Sequence, residues 1–246
     1  MKEEAIVITG GTKGIGLAAA EAFAKHPEVH QLLLTYRQDE EQAKKVVEDL
    51  RKRYPHLEVA ALSIDQERPD APARLLQELS THGCIPTVIC FNANITNRSP
   101  LEELDMERWR SLFQANIHFA VELIQLLLPV MQPGGLFLFT GSMMAIEPHS
   151  VSLGYGVSKA AVHALVRNLV KHLEPYQHRV VGIAPGFVDT EWQKDKPKEI
   201  RTNIEQKVAL HRFALPEEVG MLFESVLQNK YFNGDILTLS GGYSYK

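Results

Sequence analysis

Two residues in the second half of the chain have the types and the spacing of an acid–base pair. Tyr155 and Lys159 stand near the start of an apolar-periodic segment, 160–173, which predicts a buried helix. Residues four apart share one face of a helix, so the phenol and the ammonium would point the same way. A free phenol titrates at about pH 10, and a neighbouring cation favours the phenolate and lowers that pKa. The pair alone is weak evidence, because Tyr and Lys also stand four apart by chance on many solvated helices.

A glycine-rich turn near the N-terminus has the pattern that would bring a dinucleotide to such a pair. The turn consists of Gly10, Gly11, Thr12, Lys13, Gly14, Ile15 and Gly16. An apolar run at 5–9 precedes it and an Ala-rich segment at 17–25 follows it, which predicts a strand, a turn and a helix. Glycines let the backbone approach a pyrophosphate closely, and the amides at the helix N-terminus meet its charge. The alternative is a turn between strand and helix that binds nothing.

The end of the second predicted strand, 31–35, indicates which dinucleotide would bind. An acidic residue there accepts from the ribose 2′-hydroxyl of NAD, whereas a cation accommodates the 2′-phosphate of NADP. Tyr36 and Arg37 follow the strand, and the first acidic residue, Asp39, stands beyond the position that would contact the ribose. Arg37 can pair bidentately with a phosphate, and Lys13 would add a second positive charge. The sequence therefore favours NADP(H) and still admits NAD(H); the alternative is two solvated surface cations.

Polar residues also follow three later predicted strands. Asp65, the Asn92-Ala93 pair and Ser142 each come directly after or close behind an apolar run, and strand ends of this kind line the ligand crevice of an open α/β sheet. Asp65 would bond an adenine amino group or cap the next helix. Asn92 and Ala93 suit a cofactor-facing turn. Ser142 would converge with Tyr155 at the rim of the sheet, although a lone Ser after a strand is usually a turn former.

The longest predicted helix covers 104–131, with Asp105 as its N-cap. Its second half, 117–130, is almost apolar all round, which implies burial on more than one side and predicts a helix face buried against another subunit. Asn116 is the polar exception beside that half. A buried Asn must be hydrogen-bonded, so Asn116 is either a helix kink that holds water or a packed surface residue.

The alternation of strand and helix patterns along 1–246 predicts one α/β domain. We expect a doubly wound, mainly parallel seven-stranded sheet flanked by helices, which is a Rossmann-like architecture. The segment 187–216 is hydrophilic and poorly periodic, and a long segment of this kind inside a compact domain predicts a substrate lid.

Composition excludes several classes of partner. The net charge of −4 gives no electrostatic reason to expect nucleic acid or an anionic membrane, and no apolar stretch approaches the length of a membrane span. Cys84 and Cys90 lie in or beside an apolar run and are predicted to be buried free thiols. Free thiols suit a reducing cytoplasm, which is the location we expect.

Taken together, these residues resemble the short-chain dehydrogenase/reductase family over essentially the whole chain. The residues that carry the resemblance are Thr9, Gly10, Gly14, Gly16, Asn116, Ser142, Tyr155, Lys159, Pro185, Gly186, Val188 and Thr190. The resemblance implies hydride transfer between a nicotinamide and the carbonyl or alcohol of a small-molecule substrate. It implies that Tyr155 donates the proton and that Ser142 hydrogen-bonds the carbonyl oxygen.

The same resemblance implies roles for the other matched residues. Lys159 would lower the Tyr155 pKa and bind ribose hydroxyls, and Asn116 would hold a water on the proton relay to Lys159. The Pro-Gly segment that begins at Pro185 would meet the nicotinamide carboxamide. Members of the family form homodimers and homotetramers. Two positions depart from the family pattern: Asn94 stands in place of a glycine, and Gly182 stands near a position where many members carry an Asn.

Within the family, the chain looks most like bacterial 3-oxoacyl-acyl-carrier-protein reductases, so an acyl carrier protein is an expected partner. Such a partner is acidic and needs a basic dock, for which Lys171, His172, His178 and Arg179 are a thin candidate. An alcohol or sugar dehydrogenase that runs the same chemistry in the oxidative direction is the alternative enzyme. A dinucleotide-binding regulator without turnover is the alternative from another class. A glycine-rich methyltransferase would leave the Tyr155–Lys159 pair unexplained.

Overall fold

The computed structural model describes residues 4–147 and 152–243. The described residues alternate between strands and helices along the chain. The strands are β1 (Glu4–Ile8), β2 (Val29–Tyr36), β3 (Glu58–Ser63), β4 (Val88–Phe91), β5 (Leu136–Thr140), β6 (Arg179–Pro185) and β7 (Ile236–Leu239). The helices are α1 (Gly14–Ala24), α2 (Glu40–Arg53), α3 (Ala71–Thr81), α4 (Met106–Phe113), α5 (Phe119–Leu127), α6 (Leu153–Leu173), α7 (Glu191–Lys194), α8 (Lys198–Gln206) and α9 (Pro216–Gln228).

All seven strands form one parallel sheet in the order β3-β2-β1-β4-β5-β6-β7. The predicted doubly wound, seven-stranded sheet is therefore confirmed. The order reverses between β1 and β4, and in open α/β sheets the ligand crevice lies outside the carboxyl ends of the strands at such a reversal. The glycine turn after β1 and the Asn92 turn after β4 both lie at this point of the sheet.

The sheet is buried on both faces, as its continuous apolar strands predict. In β1, Val7 points into a core shared with α3, α5 and α6, whereas Ile6 and Ile8 point into a core shared with α1 and α9. Phe23 of α1 meets Phe223 of α9 edge to face, with ring centres 6.4 Å apart. These two cores hold the strand ends rigidly, so that the residues after them have defined positions.

The prediction of one continuous helix over 104–131 is wrong in two respects: the helix is interrupted, and it ends earlier than predicted. Its start agrees, since the Asp105 carboxylate accepts a first-turn amide at 2.8 Å as an N-cap. A π turn at Gln114–His118 joins α4 to α5, and α5 ends at Leu127. Pro129 explains this end, because a proline has no backbone N–H with which to continue the intrahelical hydrogen bonds after Leu128.

The apolar half of that predicted helix contributes mainly to the core of the chain itself. Phe119, Leu123 and Leu127 are fully buried in the core shared with α3 and α6. Leu126 and Val130 are exposed at 37% and 43%. Most of the apolar side chains at 117–130 are thus buried within the chain itself. The contact with another subunit stays a prediction, and it rests on the exposed side chains of Leu126 and Val130.

The predicted lid, 187–216, is anchored to the domain at both ends. Val188 pairs with Ala214 in a parallel bridge, and the rings of Phe187 and Phe213 pack with centres 5.8 Å apart. Between these anchors the chain forms α7 and α8, and α7 reaches the cleft described below. Its action as a lid stays a prediction.

Cys84 and Cys90 are buried and free, as predicted. Burial raises the pKa of Cys84 to about 12, so its thiol is inert at neutral pH. In the part of the chain that the structure describes, no helix combines the length and the apolar character that crossing a membrane needs.

Candidate active site

A cleft of about 740 Å³ runs along the carboxyl ends of the strands, across the point where the strand order reverses. Most of the predicted site residues line it. They are Gly10, Thr12, Lys13, Gly14, Ile15, Arg37, Asp65, Asn92, Ala93, Ser142, Tyr155, Pro185, Gly186, Val188 and Thr190. Three predicted residues do not line it: Gly16, Asn116 and Lys159, which are all buried.

Tyr155 and Ser142 meet on the wall of the cleft, where their side chains are hydrogen-bonded to each other. Ser142 follows the end of β5 and caps a short 3₁₀ turn, Met143–Ala145, by accepting from Met144 N at 3.1 Å. Tyr155 lies in the first turn of α6. Burial raises the pKa of Tyr155 to about 12, and the hydrogen bond with Ser142 opposes that rise. The phenol therefore keeps its proton at neutral pH.

Lys159 is buried one turn further along α6, beside the Tyr155 ring. Its Nζ donates to Thr140 O at 2.6 Å and lies 5.6 Å from the centre of that ring. Burial lowers the pKa of Lys159 to about 7. The lowering of the Tyr155 pKa by Lys159 stays a prediction; in this arrangement burial of the phenol is the largest cause and raises that pKa overall.

Asn116 lies in the π turn between α4 and α5 and is 7% exposed. Its Oδ1 accepts from Ile95 N at 2.9 Å, and its Nδ2 donates to Ile95 O and to Ser158 Oγ at 3.0 Å each. Of the two alternatives from the sequence, the kinked helix is confirmed and the surface residue is wrong. A cavity of about 10 Å³, the size of one water molecule, separates Asn116 from Lys159 and is also lined by Gln66. The water on the relay stays a prediction.

The glycine turn has the geometry of an anion site. Gly10 and Gly14 have φ values of +61° and +54°, which side chains rarely adopt. Lys13 stands at the N-cap of α1, and its side chain makes no cap hydrogen bond to the first-turn amides, which can therefore face an anion. A Cβ on Gly14 would lie 3.3 Å from Thr190 Cγ2, which shows how closely the Pro-Gly segment passes over the turn. Gly16 serves packing, since its Cβ would lie 2.2 Å from Gly10 O.

Asn92 and Ala93 shape the floor of the cleft through their backbone contacts. Asn92 Nδ2 donates to Thr9 O at 3.1 Å and to Gly10 O at 3.3 Å, and its Oδ1 accepts from Thr140 Oγ1 at 3.1 Å. Thr9 Oγ1 accepts from the amides of Asn92 and Ala93 at 3.0 and 2.9 Å. The Asn92 side chain thus joins β4 to β1 and β5, and direct contact with a cofactor stays a prediction.

The two departures from the family pattern are both tolerated by the backbone. Among the described residues, the non-glycine positions with positive φ are Gln177 and His211, so Asn94 needs no left-handed conformation. Asn94 lines the cleft, and its Oδ1 is buried without a hydrogen-bond partner among the described residues. Gly182 lies inside β6 and makes room for a β7 side chain, whose terminal methyl would lie 2.5 Å from a Cβ.

Arg37, which the sequence predicts to bind a phosphate, lines the cleft and is already paired with an acid of the chain. Its Nη1 is bound to Oε1 of Glu67 in an ion pair. Asp65 Oδ1 accepts from Glu67 N at 3.1 Å and so stabilises the turn after β3. The alternative that Asp65 caps the next helix is wrong, because Asp70 stands at the N-cap of α3. The contact of Asp65 with an adenine stays a prediction.

His163 is a site residue that sequence reasoning missed. Its Nε2 accepts from Ser142 N at 3.3 Å, and a Cβ on Gly141 would lie 2.3 Å from that nitrogen. Burial, with Lys159 and Arg167 as further causes, lowers the pKa of His163 to about 4, so the ring is neutral and holds the Ser142 backbone as an acceptor. The signal was available, because His163 follows Lys159 by one helical turn and shares its face.

Trp192 is a second missed residue. It lies in α7, lines the cleft and is 45% exposed. Its ring centre is 6.3 Å from that of Tyr155, in an edge-to-face arrangement. Trp192 therefore forms an apolar wall beside the phenol. No periodicity marked it, because α7 has only four residues.

The residues of the cleft fit a dinucleotide. The first-turn amides of α1 can bind its phosphates, and the positive φ values of Gly10 and Gly14 bring the backbone close to them. The unpartnered Oδ1 of Asn94 can accept from a sugar hydroxyl. The volume lies in the usual range for small-molecule sites.

Comparison with known proteins agrees with this geometry. The family model for short chain dehydrogenases matches residues 4–201. The chain is similar to a 3-oxoacyl-acyl-carrier-protein reductase of Chlamydia muridarum, with 28% identity over 244 residues that cover 97% of this chain and 96% of that protein. It is also similar to a 3alpha-hydroxysteroid dehydrogenase of Mediterraneibacter gnavus, with 24% identity over 98% of this chain and 97% of that protein.

Solved structures share the fold over nearly the whole chain. A short-chain dehydrogenase/reductase from Serratia marcescens has a TM-score of 0.90 at 24% identity, covering 99% of this chain and 98% of that one. An L-sorbose reductase from Gluconobacter frateurii, complexed with NADPH and L-sorbose, has a TM-score of 0.89 at 25% identity, covering 100% and 98%. With its family model matched over most of its length, the chain belongs to the short-chain dehydrogenase family and is an NAD(P)-dependent oxidoreductase.

Proposed function

We propose that the protein reduces a ketone or 3-oxoacyl substrate to the alcohol with NADPH. One observation carries the proposal: Tyr155 and Ser142 are hydrogen-bonded to each other on the wall of a dinucleotide-sized cleft, with Lys159 buried beside the phenol. Two hydroxyl groups at one point of the cleft can both reach a single carbonyl oxygen. This is the arrangement that carbonyl reduction needs.

The side chains have complementary roles in this proposal. When bound, the nicotinamide supplies the hydride. Ser142 Oγ would donate to the carbonyl oxygen, and the Tyr155 hydroxyl would transfer its proton to that oxygen as negative charge develops. Met144 N donates to Ser142 Oγ and His163 Nε2 accepts from Ser142 N, so the serine is held in position before the substrate arrives. Donors that are already oriented need no reorganisation during the reaction.

Tyr155 can supply the proton that the reductive direction needs. Because burial raises its pKa to about 12, the phenol carries a proton to give at neutral pH. The alternative, an alcohol or sugar dehydrogenase, would use the same group as a base in the reverse step and is the second candidate function. The other alternative, a dinucleotide-binding regulator without turnover, gives no reason for the Ser142–Tyr155 contact.

Lys159 and Asn116 would return the proton to Tyr155. The Lys159 pKa of about 7 lets its ammonium exchange protons near neutral pH, and its Nζ is close to the Tyr155 ring. The cavity between Lys159 and Asn116 has polar walls and the size of a single water. We propose that this water connects Lys159 to the interior side of the cleft.

NADP(H) is the proposed cofactor, with NAD(H) as the alternative. Lys13 and Arg37 both line the end of the cleft where β2 ends, and a guanidinium binds phosphate bidentately. Two similar solved structures hold NADPH or NADP, the L-sorbose reductase and a short-chain dehydrogenase from Burkholderia cenocepacia. Fluorescence titration should show NADPH binding at least about tenfold more tightly than NADH, since each charge-assisted contact contributes about 1.5–3 kcal/mol. Equal affinities would refute this assignment.

A 3-oxoacyl group on an acyl carrier protein is the proposed form of the substrate, supported by the similar carrier-protein reductase. The basic dock suggested by the sequence is wrong in part. His178 is buried, and Arg179 donates to Phe232 O at 2.9 Å, so neither presents a charge to a partner. Lys171 and His172 remain exposed at the end of α6.

Two further expectations are kept as part of the proposal. We propose a homodimer or homotetramer, supported by the exposed apolar side chains at the end of α5, Leu126 and Val130. We propose a reducing cytoplasmic location, supported by the buried free thiols of Cys84 and Cys90.

Tyr155→Phe tests the chemistry. The variant should bind NADPH normally and lose about a hundred- to ten-thousandfold in turnover with any accepted ketone, because it keeps the ring and lacks the proton. Loss of NADPH absorbance, measured with a panel of 3-oxoacyl thioesters and simple ketones, gives the rates and identifies the substrate class. Tyr176→Phe is the matched control, since Tyr176 is exposed in the turn after α6. Turnover retained by Tyr155→Phe would refute the role of Tyr155.

A further inference from the structure

The Arg37–Glu67 ion pair lies in the cleft where a 2′-phosphate would bind. Glu67 is held by both carboxylate oxygens: Oε1 binds Arg37 Nη1, and Oε2 accepts from Ser111 Oγ at 2.5 Å. The Arg37 side chain is 47% exposed and that of Glu67 is 22% exposed. Ser111 belongs to α4, so Glu67 is anchored to a different element from the loop that carries it. Arg37 is thereby directed to a carboxylate of the chain itself.

The charges around this end of the cleft do not favour a phosphate unless Arg37 is available. Among the residues that the structure describes, the charged ones that line the cleft are the cations Lys13 and Arg37 and the carboxylates Asp39, Asp65, Glu67 and Glu191. A phosphate monoester brings about −1.5 to −2 further charge at neutral pH. The guanidinium fork matches a phosphate and a carboxylate equally well, so the two acids compete for the same donors.

We propose that Glu67 is a specificity-determining residue that competes with the 2′-phosphate of the cofactor for Arg37. In this arrangement Arg37 attracts NADP(H), and Glu67 limits how strongly the protein prefers it over NAD(H). The inference rests on the proposed function, because it takes the cleft to be the dinucleotide site. NADH has a hydroxyl in place of the phosphate, so its binding does not require Arg37 to leave Glu67.

Glu67→Gln removes the competing charge and keeps the shape of the side chain. The variant should bind NADPH about five- to tenfold more tightly than the wild type, since exposed ion pairs are worth up to about fivefold in an equilibrium constant and the repulsion of the phosphate is also lost. NADH binding should change by less than about twofold. Fluorescence titration of both cofactors measures the two dissociation constants, and normal NADH binding shows that the variant is folded.

Two further variants separate competition for Arg37 from a general change in charge. Asp39→Asn removes one negative charge from the same cleft, keeps the N-cap of α2 and leaves Arg37 paired with Glu67. It should tighten NADPH binding less than Glu67→Gln does. In an Arg37→Gln background, Glu67→Gln should tighten NADPH binding no more than Asp39→Asn does, because the residue for which it competes is absent and only the repulsion of the phosphate is relieved.

Several outcomes would overturn the inference while leaving the proposed function intact. They are equal effects of Glu67→Gln on NADPH and NADH, equal effects of Glu67→Gln and Asp39→Asn, and an effect of Glu67→Gln that is as large without Arg37 as with it. If the wild type binds neither cofactor, the proposed function fails and the inference fails with it. Should Glu67→Gln be unstable, Glu67→Ala gives the same comparison.

Discussion

Burying the Lys159 amine is expected to destabilise the folded protein. Lys159→Met should therefore raise the free energy of unfolding, and it should abolish turnover because the proposed proton relay is lost. Lys159 is 3% exposed, and burial lowers its pKa from 10.5 to about 7. At neutral pH the unfolded chain holds the proton fully and the folded chain holds it poorly. A shift of this size corresponds to about 4 kcal/mol of lost stability at pH 7. Removing the amine also leaves Thr140 O without its donor, which costs about 1–3 kcal/mol. The net expectation is a gain of about 2 kcal/mol.

The stability that Lys159→Met gains over the wild type should depend on pH. The folded-state pKa is depressed, so the penalty is full below about pH 7 and shrinks as the pH rises toward the unfolded value of 10.5. The gain of Lys159→Met over the wild type should therefore be largest at neutral pH and smaller at about pH 9.5. Guanidinium unfolding at one protein concentration measures both differences. Lys171→Met is the matched control, because Lys171 is exposed on the same helix and should show neither a gain nor a pH dependence.

A Lys159→Met variant that is less stable than the wild type at neutral pH would show that burial of the amine does not destabilise the fold. A gain that is the same at both pH values would also contradict this explanation, because desolvation of a titrating amine cannot produce that result. Turnover by the variant would separately contradict the role of Lys159 in catalysis.

Three other predictions follow from the packing. Gly141→Ala should lose about 1–3 kcal/mol of unfolding free energy, because its Cβ would lie 2.3 Å from His163 Nε2, whereas Gly156→Ala, with 3.8 Å to its nearest neighbour, should not be destabilised. The hydrogen bond from Arg212 lowers the pKa of Glu218, which is only slightly buried, to about 2. Because this folded-state pKa is depressed, the wild type should lose thermal stability as the pH drops from about 4.5 to 2, and it should do so more steeply than Glu218→Gln. Parallel slopes in thermal melts would contradict this. Static light scattering should give the mass of a dimer or tetramer, and a monomer would remove the subunit contact predicted for α5.

The sequence alone was enough to predict the architecture and most of the residues that line the cleft, for a physical reason. Parallel strands buried on both faces appear as continuous apolar runs, and their carboxyl ends meet at one edge of the sheet. Locating Gly10, Asn92 and Ser142 just after such runs was therefore enough to gather them. Tyr155 and Lys159 share a helix face, which spacing alone reveals.

The pKa values and the bonding partners of those residues follow only from the tertiary structure. The sequence predicts that Arg37 binds a phosphate, yet Glu67, thirty positions away in the chain, is bound to it. The resemblance implies that Lys159 lowers the Tyr155 pKa, yet burial raises that pKa to about 12, and Lys159 donates to a strand carbonyl. Burial and ion pairing depend on contacts between elements that are distant in sequence, and local patterns carry no record of them. The chain therefore shows in its sequence which groups meet at the cleft, whereas their charge and availability follow only from how the elements pack.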